Sequence, residues 1–150
     1  MYEISAPEAF DELGQHWIKI RVYYEDTDFT GMVYHANYLR FCERGRSDFL
    51  RDAGITHQGL LARPDPAAFT ITRAEIDFKK AAKVDDLLSV RTRFIGTKGV
   101  RIFFSQSVLL EDQMMAQAEI TAVQIHADGR PRRPVPEISA HLEQFIYNAG

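Results

Sequence analysis

Residues 17–53 read WIKIRVYYEDTDFTGMVYHANYLRFCERGRSDFLRDA, and a change of period inside this stretch decides the fold. Over Trp17 to Tyr24, Ile18, Ile20 and Val22 alternate with Lys19, Arg21 and Tyr23, the period-two pattern of a strand with one buried face. Glu25-Asp26-Thr27-Asp28 and Phe29-Thr30-Gly31 follow as a polar turn containing a glycine. From about Asn37 to Ala53 the residues Tyr38, Leu39, Cys42, Gly45, Phe49, Leu50 and Ala53 fall at three- and four-residue spacings. Arg40, Glu43, Arg44, Arg46 and Asp48 lie between them, which predicts one amphipathic helix. Asn37 or a residue just upstream is the expected cap at its start, and Gly54 the left-handed stop at its end.

Downstream the chain is almost all strand-like. Phe69 to Lys79, Leu87 to Ile95, Val100 to Leu110 and Met114 to Ile125 are the expected strands. Gly96-Thr97-Lys98-Gly99 and Glu111-Asp112-Gln113 have hairpin length, so the last three strands are expected to form an antiparallel meander, with neighbours pairing in sequence order. Phe69 and Ile71 share one phase while Ala74, Ile76 and Phe78 share the other, which predicts a bulge near Thr72. Pro134-Val135-Pro136 precedes Ile138, Leu142, Phe145 and Ile146, a short C-terminal amphipathic helix. A strand, a long helix and then antiparallel strands predict an α+β fold in which a curved sheet wraps one helix, as a single domain over 1–150.

Composition narrows the function. With 45% hydrophobic and 26% charged residues the chain has enough apolar material for a packed core. A net charge of −3 gives no field to hold a polyanion, so nucleic acid is not an expected partner. The single cysteine, Cys42, has no partner for an internal disulfide, which suits a reducing cytoplasmic compartment. Met1 to Gln15 lacks the basic start and apolar run of a signal peptide, and no later stretch has the length and apolarity of a membrane span.

G-x-S-x-G, G-x-G-x-x-G and G-x-x-x-x-G-K-S/T motifs are all absent. His16, His35, His57, His126 and His141 are too widely spaced for a local ligand pair, and no metal is expected. What remains is the polar and aromatic run from Tyr24 to Tyr38, YEDTDFTGMVYHANY, between strand and helix. Amides at a helix start, with the helix dipole, stabilise an anionic oxygen such as develops on a thioester carbonyl under attack, and a carboxylate upstream is placed to act on the carbonyl or on water. The same residues also read as plain structure: Asp26, Thr27 and Asp28 as turn residues, His35 as a helix-start side chain, Tyr34 and Tyr38 as core aromatics. Local chemistry leaves both readings open.

The stretch Arg21 to Asp48 closely resembles the signature of the 4-hydroxybenzoyl-CoA thioesterase family, especially its Tol-Pal-associated acyl-CoA thioesterase branch. The resemblance rests on the second aspartate of Glu25-Asp26-Thr27-Asp28, on Gly31, and on Val33-Tyr34-His35-Ala36-Asn37-Tyr38 running into Phe41-x-Glu43-Arg44. It continues more weakly in Phe78-Lys79-Lys80-Ala81-Ala82 and around Gly129-Arg130-Pro131-Arg132-Arg133. It implies a hotdog fold, with the long helix wrapped by the sheet, assembled as dimers that often pair into tetramers. It implies acyl-CoA as substrate, or an acyl carrier protein as acyl donor, and no bound cofactor. Asp28 matches the family's catalytic aspartate, as nucleophile or general base. His35 matches the position whose backbone N–H polarises the carbonyl, its imidazole helping to orient Asp28 or the substrate, and Tyr24 matches a tyrosine that supports the aspartate. Gly31 keeps the turn narrow for the acyl group, and Val33, Tyr34 and Asn37 fall in the implied substrate-binding stretch.

Where this branch has small residues after the second aspartate, the chain has Phe29-Thr30, so Phe29 either narrows the acyl pocket or packs as a plain aromatic. Lys79, Lys80, Lys83, Arg130, Arg132 and Arg133 are the candidates for the phosphates of coenzyme A. Two rival readings are a hotdog hydratase or dehydratase, and a non-catalytic acyl-binding or envelope-machinery scaffold. The first lacks the expected glycine- and proline-rich neighbourhood around a histidine. The second leaves a carboxylate beside an apolar ligand at a desolvation cost without return.

Overall fold

The computed structural model describes residues 3–149; Met1, Tyr2 and Gly150, the ends of the expected domain, lie outside them. Its order is β1 (His16–Arg21), α1 (Asn37–Asp52), α2 (His57–Leu61), β2 (Ala67–Phe78), β3 (Leu87–Lys98), β4 (Arg101–Leu110), β5 (Gln113–His126) and α3 (Pro136–Leu142). The five strands form one antiparallel sheet in the order β1-β3-β4-β5-β2. The α+β hotdog arrangement therefore stands, and so does the β3-β4-β5 meander.

Pairing in sequence order does not hold at the edges. β1 lies beside β3, and β2 lies beyond β5. Short connections force neighbours to pair, whereas the segment from Arg21 to Ala67 contains α1 and α2 and is long enough to reach the far edge. The expected bulge is present: the β2–β5 register shifts between Ile71 and Arg73, so Phe69 and Ile71 keep the inner phase that Ala74, Ile76 and Phe78 resume. Similar shifts at Phe94/Gly96 and Val108/Leu109 carry no comparable phase signal in the sequence.

Helix α1 lies on the inner face of β1, β3 and β4. Buried Tyr38, Phe41, Cys42, Gly45, Phe49 and Leu50 form its inner side, close to the spacing read from the sequence. Gly45 is the point of closest approach. A Cβ there would meet Val90 Cγ1 at 2.8 Å and Gln106 Nε2 and Thr92 Oγ1 at 2.9 Å. Beside it, buried Gln106 donates to the Cys42 carbonyl (2.8 Å) and to Thr92 Oγ1 (3.0 Å) and accepts from Arg46 Nη1 (2.9 Å). That amide is fully used, as a buried polar group must be.

The helix ends as its glycine predicts. Gly54 has φ +95, and the Gly54 and Ile55 amides donate to the Arg51 and Leu50 carbonyls at 2.9 and 2.7 Å, a Schellman closure. The start falls where expected, just upstream of Asn37, but without a capping side chain. The cap residue is Ala36, with no side-chain cap bond, and Asn37 Nδ2 instead donates to the Asp26 carbonyl at 2.8 Å. Asn37 thus spends its amide tying the upstream loop to the helix. α3 follows Pro134-Val135-Pro136 as anticipated and buries Ile138 and Leu142, while α2 was not legible in the sequence. Among the described residues no helix is long and apolar enough to cross a membrane.

Candidate active site

β1 gives way to a short 3-10 turn at Tyr24–Asp26, and the loop then folds back on itself. Thr27 bridges Val33, the Asp28 amide donates to the Met32 carbonyl (2.9 Å), and the Gly31 amide donates to the Asp28 carbonyl (3.1 Å). Gly31 sits at φ +82 with nothing within 4 Å of a Cβ position, so the turn needs its backbone freedom and its outer side is open. The loop is anchored on both flanks: the Tyr34 amide donates to the Asp26 carbonyl (3.0 Å), and the Val33 amide to the Ala82 carbonyl (2.8 Å). Asp26 itself is buried and accepts the Tyr23 amide through Oδ2, so the first carboxylate of the Asp-Thr-Asp run is structural.

Asp28 is the carboxylate left on the rim. Its Oδ1 accepts the Thr30 hydroxyl and the Thr30 amide (2.8 Å). The hydroxyl, and after it the amide, hold the Asp28 carboxyl below its ordinary range, because both stabilise the anion. The turn reading of Asp28 is realised, and the bonds that close the turn also favour the ionised form of the group.

His35 and Ala36 precede α1 in a turn conformation, and among the described residues their amides make no hydrogen bond, whereas the Asn37, Tyr38 and Leu39 amides already donate to Tyr34, His35 and Ala36. Two unpaired amides therefore sit at the positive end of a 16-residue helix, a donor pair suited to a developing oxyanion. The His35 imidazole is exposed and lies against the rings of Tyr34 (4.5 Å) and Phe78 (6.0 Å). Among the described residues it makes no hydrogen bond to Asp28. Nor does Tyr24, which is 82% exposed and contributes its carbonyl to the Thr27 amide and hydroxyl. The group that orients Asp28 is Thr30, for which the sequence offered only its place two residues on, the reach of an aspartate turn.

Of the implied substrate-binding residues, Val33 is buried in the core and Asn37 is spent on Asp26, while Tyr34 is exposed and Phe29 is fully so. Lys79 and Lys80 follow β2 and run past the loop: Lys83 bridges Met32, the Val84 amide donates to the Gly31 carbonyl (3.2 Å), and the Ala82 amide donates to Tyr38 Oη (3.0 Å). Arg130 and Arg132 lie at the other end of the β2–β5 pair, roughly 35 Å away along the strand. They are also engaged, Arg130 with Asp128 (2.7 Å) and Arg132 with Asp65 (2.9 Å). Within one chain the two groups cannot grip the same phosphate.

The sequence also missed a polar cluster on the helix. Ser47 donates to Glu43 Oε1 (2.7 Å), and its oxygen lies 2.9 Å from His57 Nε2. The carboxylate contacts the serine and not the far imidazole nitrogen, so this is not a serine nucleophile with its base. The cluster borders a cavity of about 120 Å³ whose apolar wall is Leu50, Phe69, Ile71, Phe104 and Ala122. Glu43 and Ser47 are one helical turn apart, but nothing in the sequence announced that α2 would bring His57 to them.

The profile of the thioesterase-like superfamily matches residues 22–145. The chain belongs to that superfamily. This thioesterase is 45% identical over 101 residues to the acyl-CoA thioesterase YbgC of Haemophilus influenzae, covering 67% of the chain and 74% of the relative. It is 33% identical over 127 residues to the acyl-CoA thioester hydrolase YbgC of Escherichia coli O6:H1, covering 83% and 93%. The crystal structure of a probable thioesterase from Bartonella henselae superposes with a TM-score of 0.78 at 40% identity, over 81% of this thioesterase and 99% of that chain. The matched span includes the Asp28 loop and α1, and with these relatives the thioesterase is a thioester hydrolase with a hotdog fold.

Proposed function

We propose that this one-domain thioesterase cleaves acyl-CoA, short-chain or aromatic in its acyl group, to the free acid and coenzyme A, with Asp28 acting on the thioester carbonyl. The observation that carries the reading is an ionised carboxylate and two amides unpaired among the described residues, those of His35 and Ala36, in one short loop ahead of α1. The names of the Haemophilus and Escherichia relatives support the coenzyme A part. In the nucleophilic route an Asp28 oxygen bonds to the carbonyl carbon, the C–S pair leaves as thiolate, and water then cleaves the mixed anhydride. In the general-base route Asp28 takes a proton from water, hydroxide adds to the carbon, and the thiolate leaves and recovers the proton. Either way the carbonyl oxygen gathers charge against the His35 amide. The exposed Phe29 ring next to Asp28 is the residue placed to select the acyl group.

The phosphate and oligomer readings join in one geometry. β2 pairs only with β5 among the described residues, and its free edge is twelve residues long with Ile71 and Phe78 half exposed, which makes it a template for a second copy. Antiparallel pairing there sets the Lys79–Lys80 end of one copy against the Arg130–Arg132 end of the other, giving dimers able to pair into tetramers. A cytoplasmic setting suits the lone thiol, and an acyl carrier protein remains an alternative acyl donor.

The test is thiol release by purified protein from short, long, aromatic and hydroxylated acyl-CoAs, with Asp28→Asn in parallel. Turnover lost by a factor of about 10³ or more, with an unchanged fold, is expected for removal of the reacting group. Turnover within a few-fold of wild type would sink the assignment.

A further inference from the structure

Strand β1 closes the sheet at the end away from β2 and pairs with β3 alone. The Val22 amide donates to the Asp86 carbonyl (2.8 Å), and the Val22 carbonyl accepts the Asp85 amide (2.9 Å). Backbone groups alternate in direction along a strand, so those of Ile20 and Ile18 also face β3, whereas Trp17, Lys19 and Arg21 turn theirs to the free edge. The side chains of these three are exposed on the sheet face away from α1. On the inner side, Ile18 and Ile20 border an open groove of about 680 Å³ whose other wall is α1, at Arg44, Asp48 and Arg51.

The chain itself meets the start of this edge with one apolar and one acidic residue. Phe10 bridges His16 and packs its ring inward on Phe49 and Phe145. Asp11 donates its amide to the Gln15 carbonyl (2.8 Å) and accepts Trp17 Nε1 at Oδ2 (2.9 Å). Before Phe10 the chain leaves the edge through the 3-10 turn Pro7–Ala9, and among the described residues nothing pairs with the edge from Trp17 to Arg21. Lys19 Nζ donates to Ser89 Oγ (2.8 Å), Arg21 Nη1 to the Asp85 carbonyl (2.7 Å) and Arg91 Nη2, beside Trp17, to Ser107 Oγ (2.8 Å). None of these three cations forms an ion pair among the described residues.

We propose that the free edge of β1 docks an extended peptide segment of a partner protein, added as a further strand. Its carboxylates lie on the face of Lys19 and Arg21, and its alternate, apolar side chains lie over Ile18 in the groove. Lysine and arginine on an edge strand repel a basic strand and leave their charge unanswered beside a neutral one. An acidic strand answers it. A second copy of β1 brings more cations, because antiparallel pairing about Lys19 sets Lys19 on Lys19 with both Arg21 side chains in diagonal reach. The docking does not depend on what the Asp28 loop catalyses.

Trp17 is the chain's one tryptophan and sits on this edge, so its fluorescence reads the docking. The exposed stretch from Trp17 to Arg21 is about 16 Å long, and an acetylated octapeptide alternating valine and glutamate covers it. Titrated into the full chain, that peptide is expected to give a saturable one-to-one change, about tenfold tighter than its valine–lysine counterpart. Lys19→Glu with Arg21→Glu is expected to invert the preference. Circular dichroism checks the fold, and Lys19→Gln with Arg21→Gln replaces a reversal that does not fold, with the acidic peptide about tenfold weaker. N-methylation of one alternating set of peptide amides is expected to abolish binding and of the other set to leave it, since only one set faces β1. No saturable change, equal binding of the two peptides, variants that bind as wild type, or loss with both or neither methylated set would each overturn the proposal. A Trp17 signal that follows protein dilution and ignores peptide would give the edge to a second copy, and overturn it too.

Discussion

The backbone amide and the hydroxyl of Thr30 donate to the same oxygen of Asp28, Oδ1. Oδ1 closes the turn, and Oδ2 is the oxygen that the proposed reaction would use. Both donors favour the anion, so the Asp28 carboxyl is depressed below its usual range. The sign follows: the carboxylate and the turn it closes are intact above the ordinary aspartate range and are lost as pH falls through the depressed value. Thr30→Val keeps the amide bond and removes the hydroxyl. The acid limb of kcat/KM is then expected to move upward, toward the ordinary range, with little change at neutral pH, where the group stays ionised. A pH–rate profile of the two proteins decides it, and coincident acid limbs would remove Thr30 as the positioning residue.

Gly45→Ala weighs two opposing effects. Alanine in place of glycine inside a helix gains about 1 kcal/mol in propensity. Here the new methyl lands within 3 Å of Val90, Thr92 and Gln106, all held in the sheet, and such overpacking costs about 1–3 kcal/mol. The clash is expected to win, with a lower urea midpoint at unchanged m value. A midpoint equal to or above wild type would mean that α1 rides on the sheet more loosely than its Gln106 bonds imply.

Much of this was legible beforehand, and what was not has physical causes. The strand–turn–helix order, Gly54, and the phase change at Thr72 are local signals, written in spacing and in backbone conformation. Edge order was not legible, because a long connection lets β2 settle on either side. Asp28 was legible as a residue but not in its hydrogen-bond partner: the resemblance pointed to Tyr24 and His35, whereas the donors to Oδ1 are the amide and hydroxyl of Thr30, a bond that depends on how the turn closes. The Glu43–Ser47–His57 cluster depends on where α2 returns the chain, which no spacing encodes.

Cys42 is fully buried under α1, and burial pushes its thiol up to about 11. A thiolate is what reacts with disulfide reagents, and this one is neither formed nor reachable at neutral pH. The native protein is expected to give no thiol titre with a disulfide dye and one equivalent after unfolding. Thiol release in the hydrolysis assay then reports coenzyme A alone. A native titre near one would show that the α1 interface opens readily.

Lys79 and Lys80 leave β2 exposed, and the segment they begin, which includes Lys83, runs beside the Asp28 loop, so they are candidates for a phosphate arriving with the thioester. Exposed ion pairs contribute at most about 1 kcal/mol, so Lys79→Ala and Lys80→Ala are each expected to raise KM for acyl-CoA about fivefold or less. Because the charge contacts a part of the substrate that does not react, kcat should hold. A truncated acyl thioester without the nucleotide has no phosphates to lose, and its KM should be the same for wild type and variants. Added salt should erode the difference for acyl-CoA and leave the truncated substrate untouched. Equal KM increases for both substrates would instead make these lysines supports of the loop, through the Met32–Lys83 bridge, and would leave the phosphates to other cations.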